Sequence, residues 1–405
     1  VYIVERQAIF ELFSSCGNMN PEVTIIALNW NGWQDTLECL ASLYHIDYDN
    51  YRVILVDNAS TDDSLARIEA YCMKELNLAS YITEDLIRNK LIKVVHYAKG
   101  DAGSRIDRSG AVAQKANHAL TVIQNDYNYG FAEGNNIGVA YALNAFDPDY
   151  VLLLNNDTVV DQHFLSALVD TAENDEYVGL IQPKMLRCAD ATIDNTGNVC
   201  DRLAYCEARG LGELDAGQYD HERTDEFFYA TGACVLIRRS VLSAFSGECF
   251  DPHLFAYYED VDLSWMARLL GFKIGYSPDS VCYHKGSATF GNCSPFIAYL
   301  SDRNRLRVLI KNYALISLFF ALPLTIVLKS AALIADCVIS VDLHYIASFV
   351  KALGWNTLQL RNTLALRRRL QSKRKVSDND IVKHMIPFSL NPRVELLKLK
   401  RRQRV

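Results

Sequence analysis

VTIIALNWNG (residues 23–32) and VILVDNASTD (residues 53–62) decide the fold. Each is a short apolar run, rich in β-branched residues, that stops abruptly at polar side chains. Between them Leu37, Leu40 and Leu43 recur at helical spacing. An apolar strand with no polar alternation must be covered on both faces, which is the condition of a parallel sheet flanked by helices. The pattern continues outward and predicts strands at 23–28, 52–56, 92–96, 121–124, 150–154, 233–237 and 273–276, with a helix over 35–44. The chain therefore reads as α/β, with a mostly parallel sheet. In such sheets ligands sit beyond the carboxyl ends of the strands, so the polar residues there are the first candidates for a site.

Five polar segments stand at such ends. Leu28, Trp30 and Asn31 close the first strand, and Asp57 closes the second, where a carboxylate can accept a hydrogen bond from the ring N–H of uracil or thymine. Alone, the segment after Asp57 serves equally well as a helix cap. In NYGFAEGNNIG (residues 128–138), Gly130 and Gly134 permit close backbone approach. With Asn128 and Asn135 they open a helix whose N-terminus favours an anion such as diphosphate. The apolar strand at 150–154 runs into Asn155, Asn156 and Asp157. A carboxylate held there can bind Mg²⁺ or Mn²⁺ together with substrate phosphates, because Mg²⁺ keeps few protein ligands; an Asx turn would use the same residues. Glu259, Asp260 and Asp262 fall at a helix start, before Leu263, Met266, Leu269 and Leu270 at helical spacing. The helix dipole accounts for one or two acids, and three after an aromatic run point to proton transfer. His284 ends a strand read at 281–284, where an imidazole can complete a metal site or touch a diphosphate.

A length of 405 residues suits one large α/β domain with an appendage, and 50% hydrophobic with 22% charged residues excludes wholesale disorder. The net charge of -7 hides an asymmetry: residues 351–405 carry fifteen Lys or Arg against three acids. An acidic body and a basic tail that meets something anionic follow from that split. Eleven scattered cysteines without a CxxC pair predict neither a zinc site nor a disulfide framework, and fit a reducing cytoplasm. Residues 1–19 lack signal-peptide character and read as an extension outside the fold, and 75–117 as an insertion. After Ser301, residues 314–341 are apolar but interrupted by Pro323, Lys329 and Asp336. They read as an interfacial or buried helical hairpin, with an integral membrane segment as the alternative. The clusters Arg367–Arg369 and Lys373–Lys375 follow, placed to face anionic headgroups or to form a solvated helix face. The expected organisation is a catalytic unit over 20–300 and a helical membrane-associating region over 301–405. A chain cut before Ser301 is expected to keep its fold.

The order of these motifs resembles the family 2 glycosyltransferases of the GT-A fold, especially their rhamnosyltransferase-like branch. It is carried by VTIIALNWNG, VILVDNASTDDS, NYGFAEGNNIG, VLLLNNDT, TGACVLIRR, LFAYYEDVDLSWMARLLG and the His284 segment, over about residues 23–287. The resemblance implies an inverting sugar transfer from a nucleoside diphosphate without a covalent intermediate. Under it, Asp57 holds the base, with Leu28, Trp30 and Asn31 near it. Asp157 takes the last position of the Asp-x-Asp metal motif and His284 the distal metal or diphosphate position. Asp260, beside Glu259, is the general base. Asn155 stands where many relatives carry Asp, which removes one charged metal ligand, and the 75–117 insertion exceeds the family's usual link.

The partners so implied are a dTDP- or UDP-linked sugar, dTDP-rhamnose foremost, and a glycan or lipid-linked acceptor of cell-surface polysaccharide or glycoprotein glycan assembly. The place of action is the cytoplasmic face of the cell membrane, and nucleic acid is not expected. A nucleotidyltransferase would want a Gly-rich loop with basic residues after the first strand, which NWNGWQD lacks. A non-catalytic sugar-binding scaffold would not need Asp157, Glu259, Asp260 and His284 together.

Overall fold

A computed structural model describes residues 20–72, 92–97, 120–221, 227–286, 294–340 and 343–387. Residues 1–19 and, apart from one strand, the 75–117 insertion lie outside them.

In chain order the first half runs β1 (Val23–Asn29), α1 (Trp33–Leu43), β2 (Tyr51–Asp57), α2 (Ser64–Cys72), β3 (Ile92–Tyr97), β4 (Leu120–Asn125), α3 (Gly130–Ala145), β5 (Tyr150–Asn155), β6 (Thr158–Val160) and α4 (Phe164–Glu173). It continues through β7 (Val178–Arg187), β8 (Ile193–Asn195), β9 (Asn198–Cys200), β10 (Cys206–Ala208), β11 (Cys234–Arg238), α5 (Arg239–Ala244), α6 (Glu259–Leu269) and β12 (Lys273–His284). The main sheet has the order β3-β4-β2-β1-β5-β11-β7-β12-β6, with β8 on β7. From β3 to β5 all pairs are parallel, and β11 enters antiparallel between β5 and β7. Register brings Asn29 level with Asp57 and Leu28 level with Asn155, so the polar ends of β1, β2 and β5 meet at one edge. Alternate residues of β1 fall in opposite cores: Ile26 packs under α3, Ile25 and Ala27 under α1.

Two strand readings change. β7 was not anticipated, because Gln182, Pro183 and Lys184 interrupt its apolar pattern. The segments at 273–276 and 281–284 form one strand, β12, irregular between Ser277 and Val281.

The C-terminal part is helical: α7 (Pro295–Asn312), α8 (Leu315–Ser340), α9 (His344–Leu358), α10 (Leu360–Gln371) and α11 (Asp378–Ile381). The 300/301 boundary falls inside α7, whose charged residues are buried against the α/β half. Arg307 Nε donates to Asp251 Oδ2 at 2.7 Å, and Lys311 Nζ bonds Asp262. Burial works against the Asp251 carboxylate, but Lys311, His253 and Arg307 outweigh it and hold its pKa far below the usual range. Removing one partner of such a buried pair costs about 3–5 kcal/mol. A chain cut before Ser301 would strand both aspartates, which weighs against the expectation that it stays folded.

The tail readings shift as well. Residues 315–340 form one continuous helix through Pro323, not a hairpin, and Lys329 pairs with Asp302 at 3.2 Å. Leu315–Cys337 is long and apolar enough to cross a membrane, with mean hydropathy 2.1. The basic clusters divide: Arg367 is buried and Arg374 half-buried, whereas Arg368, Arg369, Lys373 and Lys375 are exposed. Arg367 Nη1 donates to the Ile310 and Tyr313 carbonyls, Arg369 to Phe245 O, Lys373 to Ala244 O and Arg374 to Val376 O. Arg367 thereby fastens α10 to the body, and the exposed members of both clusters stay on the surface.

Candidate active site

The carboxyl ends of β1 and β5, the start of α3 and the loop before α6 enclose a cleft of about 580 Å³. Leu28, Trp30, Asn31, Asn128, Gly130, Asn156, Asp157, Glu259, Asp260 and His284 line it. Three expected residues stand behind the wall. Asp57 is 2% exposed, and its carboxylate accepts from Asn29 Nδ2 at 2.8 Å and Ser60 Oγ at 2.6 Å. Gly134 fits helix to strand, since a β-carbon there would meet Leu28 Cδ1 at 2.8 Å. Asn135 is buried and donates to Phe131 O.

Asn58 fixes the rim. Its amide donates to Asn128 Oδ1 and Gly130 O and accepts from Asn125 Nδ2 and Tyr129 N, tying β2 to the α3 entry. Gly130 needs to be glycine: its φ is +78°, and a β-carbon would fall 2.4 Å from the Phe255 ring.

The acids open α6, directly after a strained loop. Phe255, Tyr257 and Tyr258 all have φ near +66 to +69°, and such positions for bulky residues persist only where the surroundings enforce them. Here the enforcing groups are Arg303 Nη2, which donates to Leu254 O, and Asn304 Nδ2, which reaches the carbonyls of Leu254, Ala256 and Tyr257 at 2.9, 2.9 and 2.6 Å. Neither was singled out from the sequence. Asp260 Oδ2 accepts from Gly232 N at 3.1 Å and Oδ1 from Val261 N at 2.8 Å. Burial raises its pKa above the ordinary aspartate value despite those donors. Glu259 is pushed up further, by burial and then by the neighbouring Asp260 charge, and its Oε2 has no hydrogen-bond partner. Asp262 turns away to Lys311 and Asn312 and is structural.

At the other end of the cleft, Asp157 Oδ1 is buried without a good hydrogen bond and lies 3.4 Å from His284 Nε2. That spacing is long for a hydrogen bond and close to the roughly 3 Å between neighbouring ligands of a six-coordinate ion with bonds of about 2.1 Å. The opposite ring nitrogen, Nδ1, is 2.9 Å from Asp194 Oδ2. Burial lowers the imidazole pKa, but the bonds and charges of Asp157 and Asp194 outweigh it and lift it to about 10. Among the described residues no three His, Cys, Asp or Glu converge on one point. Asp157 and His284 alone offer two donors, few enough for an ion such as Mg²⁺ or Mn²⁺, which usually keeps few protein ligands. Asp194 was invisible in the sequence because it lies in a three-residue strand without a pattern.

Comparison with known proteins gives the family and the fold. The model of "Glycosyltransferase like family 2" matches residues 66–306, and that of "Glycosyl transferase family 2" matches residues 24–101. The chain is 24% identical over 250 residues to the low-salt glycan biosynthesis hexosyltransferase Agl10 of Haloferax volcanii, covering 60% of this chain and 78% of Agl10. It is 26% identical over 157 residues to the rhamnosyltransferase WbbL of Escherichia coli K12, covering 37% of this chain but only 58% of WbbL, less than two thirds of that protein. Residues 1–349 of S. aureus TarS, solved with UDP-GlcNAc, superpose with a TM-score of 0.50 at 16% identity, covering 89% of each chain, which shows a shared GT-A-like fold. With a family model spanning more than half its length, this chain belongs to the family 2 glycosyltransferases and moves sugars from nucleotide-sugar donors.

Proposed function

We propose that the chain transfers a hexose, rhamnose foremost, from a dTDP- or UDP-linked donor to a hydroxyl of a glycan or lipid-linked acceptor at the cytoplasmic face of the membrane, with inversion at the anomeric carbon. The observation that carries this reading is that one cleft holds a paired carboxylate and imidazole, Asp157 and His284, together with a carboxylate of raised pKa, Asp260. Asp260 accepts the acceptor hydroxyl's proton, and its two backbone donors keep it aimed and ionisable. Leu28, Trp30 and Asn31 bed the nucleoside, and Asn128, Gly130 and Asn156 the phosphates and sugar. Asp57 supports the base indirectly, through Asn29 and Ser60. Asp157 and His284 hold a divalent ion, which neutralises charge on the departing diphosphate when bound.

Membrane association rests on α8. Ala321, Leu322, Ile326 and Leu333 pack onto the body, while Ile316, Phe319, Phe320, Val327 and Ile334 are 61 to 78% exposed. A helix docked side-on in this way sinks its free face into one leaflet rather than crossing alone. The catalytic unit accordingly runs through Asn312 and includes α7.

The test is a panel of dTDP-, UDP- and GDP-sugars, each with and without Mn²⁺. Nucleoside diphosphate release and the anomeric configuration of the product are read by NMR. Metal-dependent release from dTDP-rhamnose or a UDP-hexose with an inverted product is expected. A retained product would overturn the mechanism, and turnover restricted to GDP-sugars the donor assignment.

A further inference from the structure

The geometry points to Asp194 as a positioning residue of the transfer reaction, one that fixes the ring of His284 so that its Nε2 faces the cleft beside Asp157. The inference rests on the metal reading above.

His284 lies on β12 and Asp194 on β8, with β7 between them. Two strand spacings are roughly 9.5 Å, too far for a short side chain to reach an imidazole across a regular sheet. The pairing of β7 with β8 is irregular at this point: Leu186 stands opposite Ile193 and Met185 opposite Asn195, so Asp194 is an extra residue with no partner across. A bulge of this kind re-aims the side chain it carries. Here it brings Asp194 Oδ2 to 2.9 Å from His284 Nδ1. The next residue anchors the mount: Asn195 Oδ1 accepts from Gln182 Nε2 at 2.7 Å and Gly197 N at 2.9 Å, and its amide donates to Asn198 Oδ1 at 2.7 Å. β8 is thereby pinned on one side and free to present a carboxylate on the other.

A carboxylate on Nδ1 keeps a proton there, so that an ion arriving beside Asp157 displaces the proton on Nε2 and takes that lone pair. Outer partners of this type typically change metal affinity about 10- to 100-fold. Asp194 is not among the residues that line the cleft and acts only through His284.

The experiment titrates Mn²⁺, followed by the EPR signal of the free ion, into the full chain with and without UDP, for the parent, Asp194→Ala and Asp194→Asn. UDP affinity is also measured without metal. Asp194→Ala is expected to weaken Mn²⁺ binding in the presence of UDP about 10- to 100-fold. Metal-free UDP affinity and melting temperature should stay near the parent's. Asp194→Asn, whose amide oxygen still accepts from Nδ1, should recover most of the loss. The inference is overturned if Asp194→Ala binds Mn²⁺ like the parent, or if Ala and Asn lose Mn²⁺ and metal-free UDP binding together, which would mark a structural role. A parent that takes up no Mn²⁺ with UDP would instead overturn the metal reading and this inference with it.

Discussion

Asn304 is completely buried in α7, and its side-chain amide is what holds the three left-handed residues of the cleft loop. Its two N–H groups serve three carbonyls, one of them shared, and a buried carbonyl left without a partner costs about 1–3 kcal/mol. Left-handed bulky residues cost about 1 kcal/mol or more each. Asn304→Ala therefore removes about 2–4 kcal/mol from the ordered loop while leaving the sheet untouched. Since about 1.4 kcal/mol is a tenfold change in population, kcat/KM for donor hydrolysis should fall by about 30-fold or more, with a smaller change in global unfolding. Asn304→Asp is the sharper probe: it keeps the shape but turns an oxygen toward three carbonyls, and should be worse than Ala. Steady-state kinetics of nucleoside diphosphate release, with thermal unfolding in parallel, measures both. An Asp variant as active as the parent would refute the reasoning, as would an Ala variant with unchanged kcat/KM.

Further outcomes follow from the same coordinates. Phe319 and Phe320 are 73% and 68% exposed on α8, and burying each in an apolar phase contributes about 1.5–3 kcal/mol. Phe319→Ser with Phe320→Ser should thus lower binding to liposomes about 100-fold, whereas raised salt alone should not release the parent; release by salt would restore the basic clusters as the anchor. Glu259 has a folded pKa raised by burial and by Asp260, so the folded state binds more protons than the unfolded one. Stability contributed by its neutral form is present at low pH and lost as pH rises from the unfolded glutamate value through the folded one. Glu259→Gln should therefore raise the melting temperature at pH 8 and make no difference near pH 4; equal melting at both would show Glu259 to be solvated.

How much of this was legible follows from where each signal lies. The strand ends at Asn29, Asp57, Asn155 and His284 could be read because an apolar run that stops at a polar residue is a local pattern, and register then brings most of them to one edge. β7 was hidden because Gln182 and Lys184 are buried polar residues whose partners, Asn195 and Thr231 for the one and Asp215 and Asp220 for the other, are distant in sequence. α7 misled for the same reason. Arg303, Asn304, Arg307 and Lys311 look like the solvated face of a tail helix, and only the packing shows that they satisfy a loop some 50 residues earlier. Composition placed a break at Ser301, whereas buried charge pairs cross it.

In the proposed mechanism Asp260 takes the acceptor proton within a cleft that binds donor independently of it. Measured on the donor that the panel identifies, Asp260→Asn should lower kcat by about 100-fold or more, while the dissociation constant for that donor with Mn²⁺ stays within a few-fold of the parent's. In the parent, the acid limb of the kcat profile should lie above the ordinary aspartate range, since burial raises the carboxyl and the base works only when deprotonated. Donor binding lost in step with kcat, or an Asn variant that turns over like the parent, would contradict it.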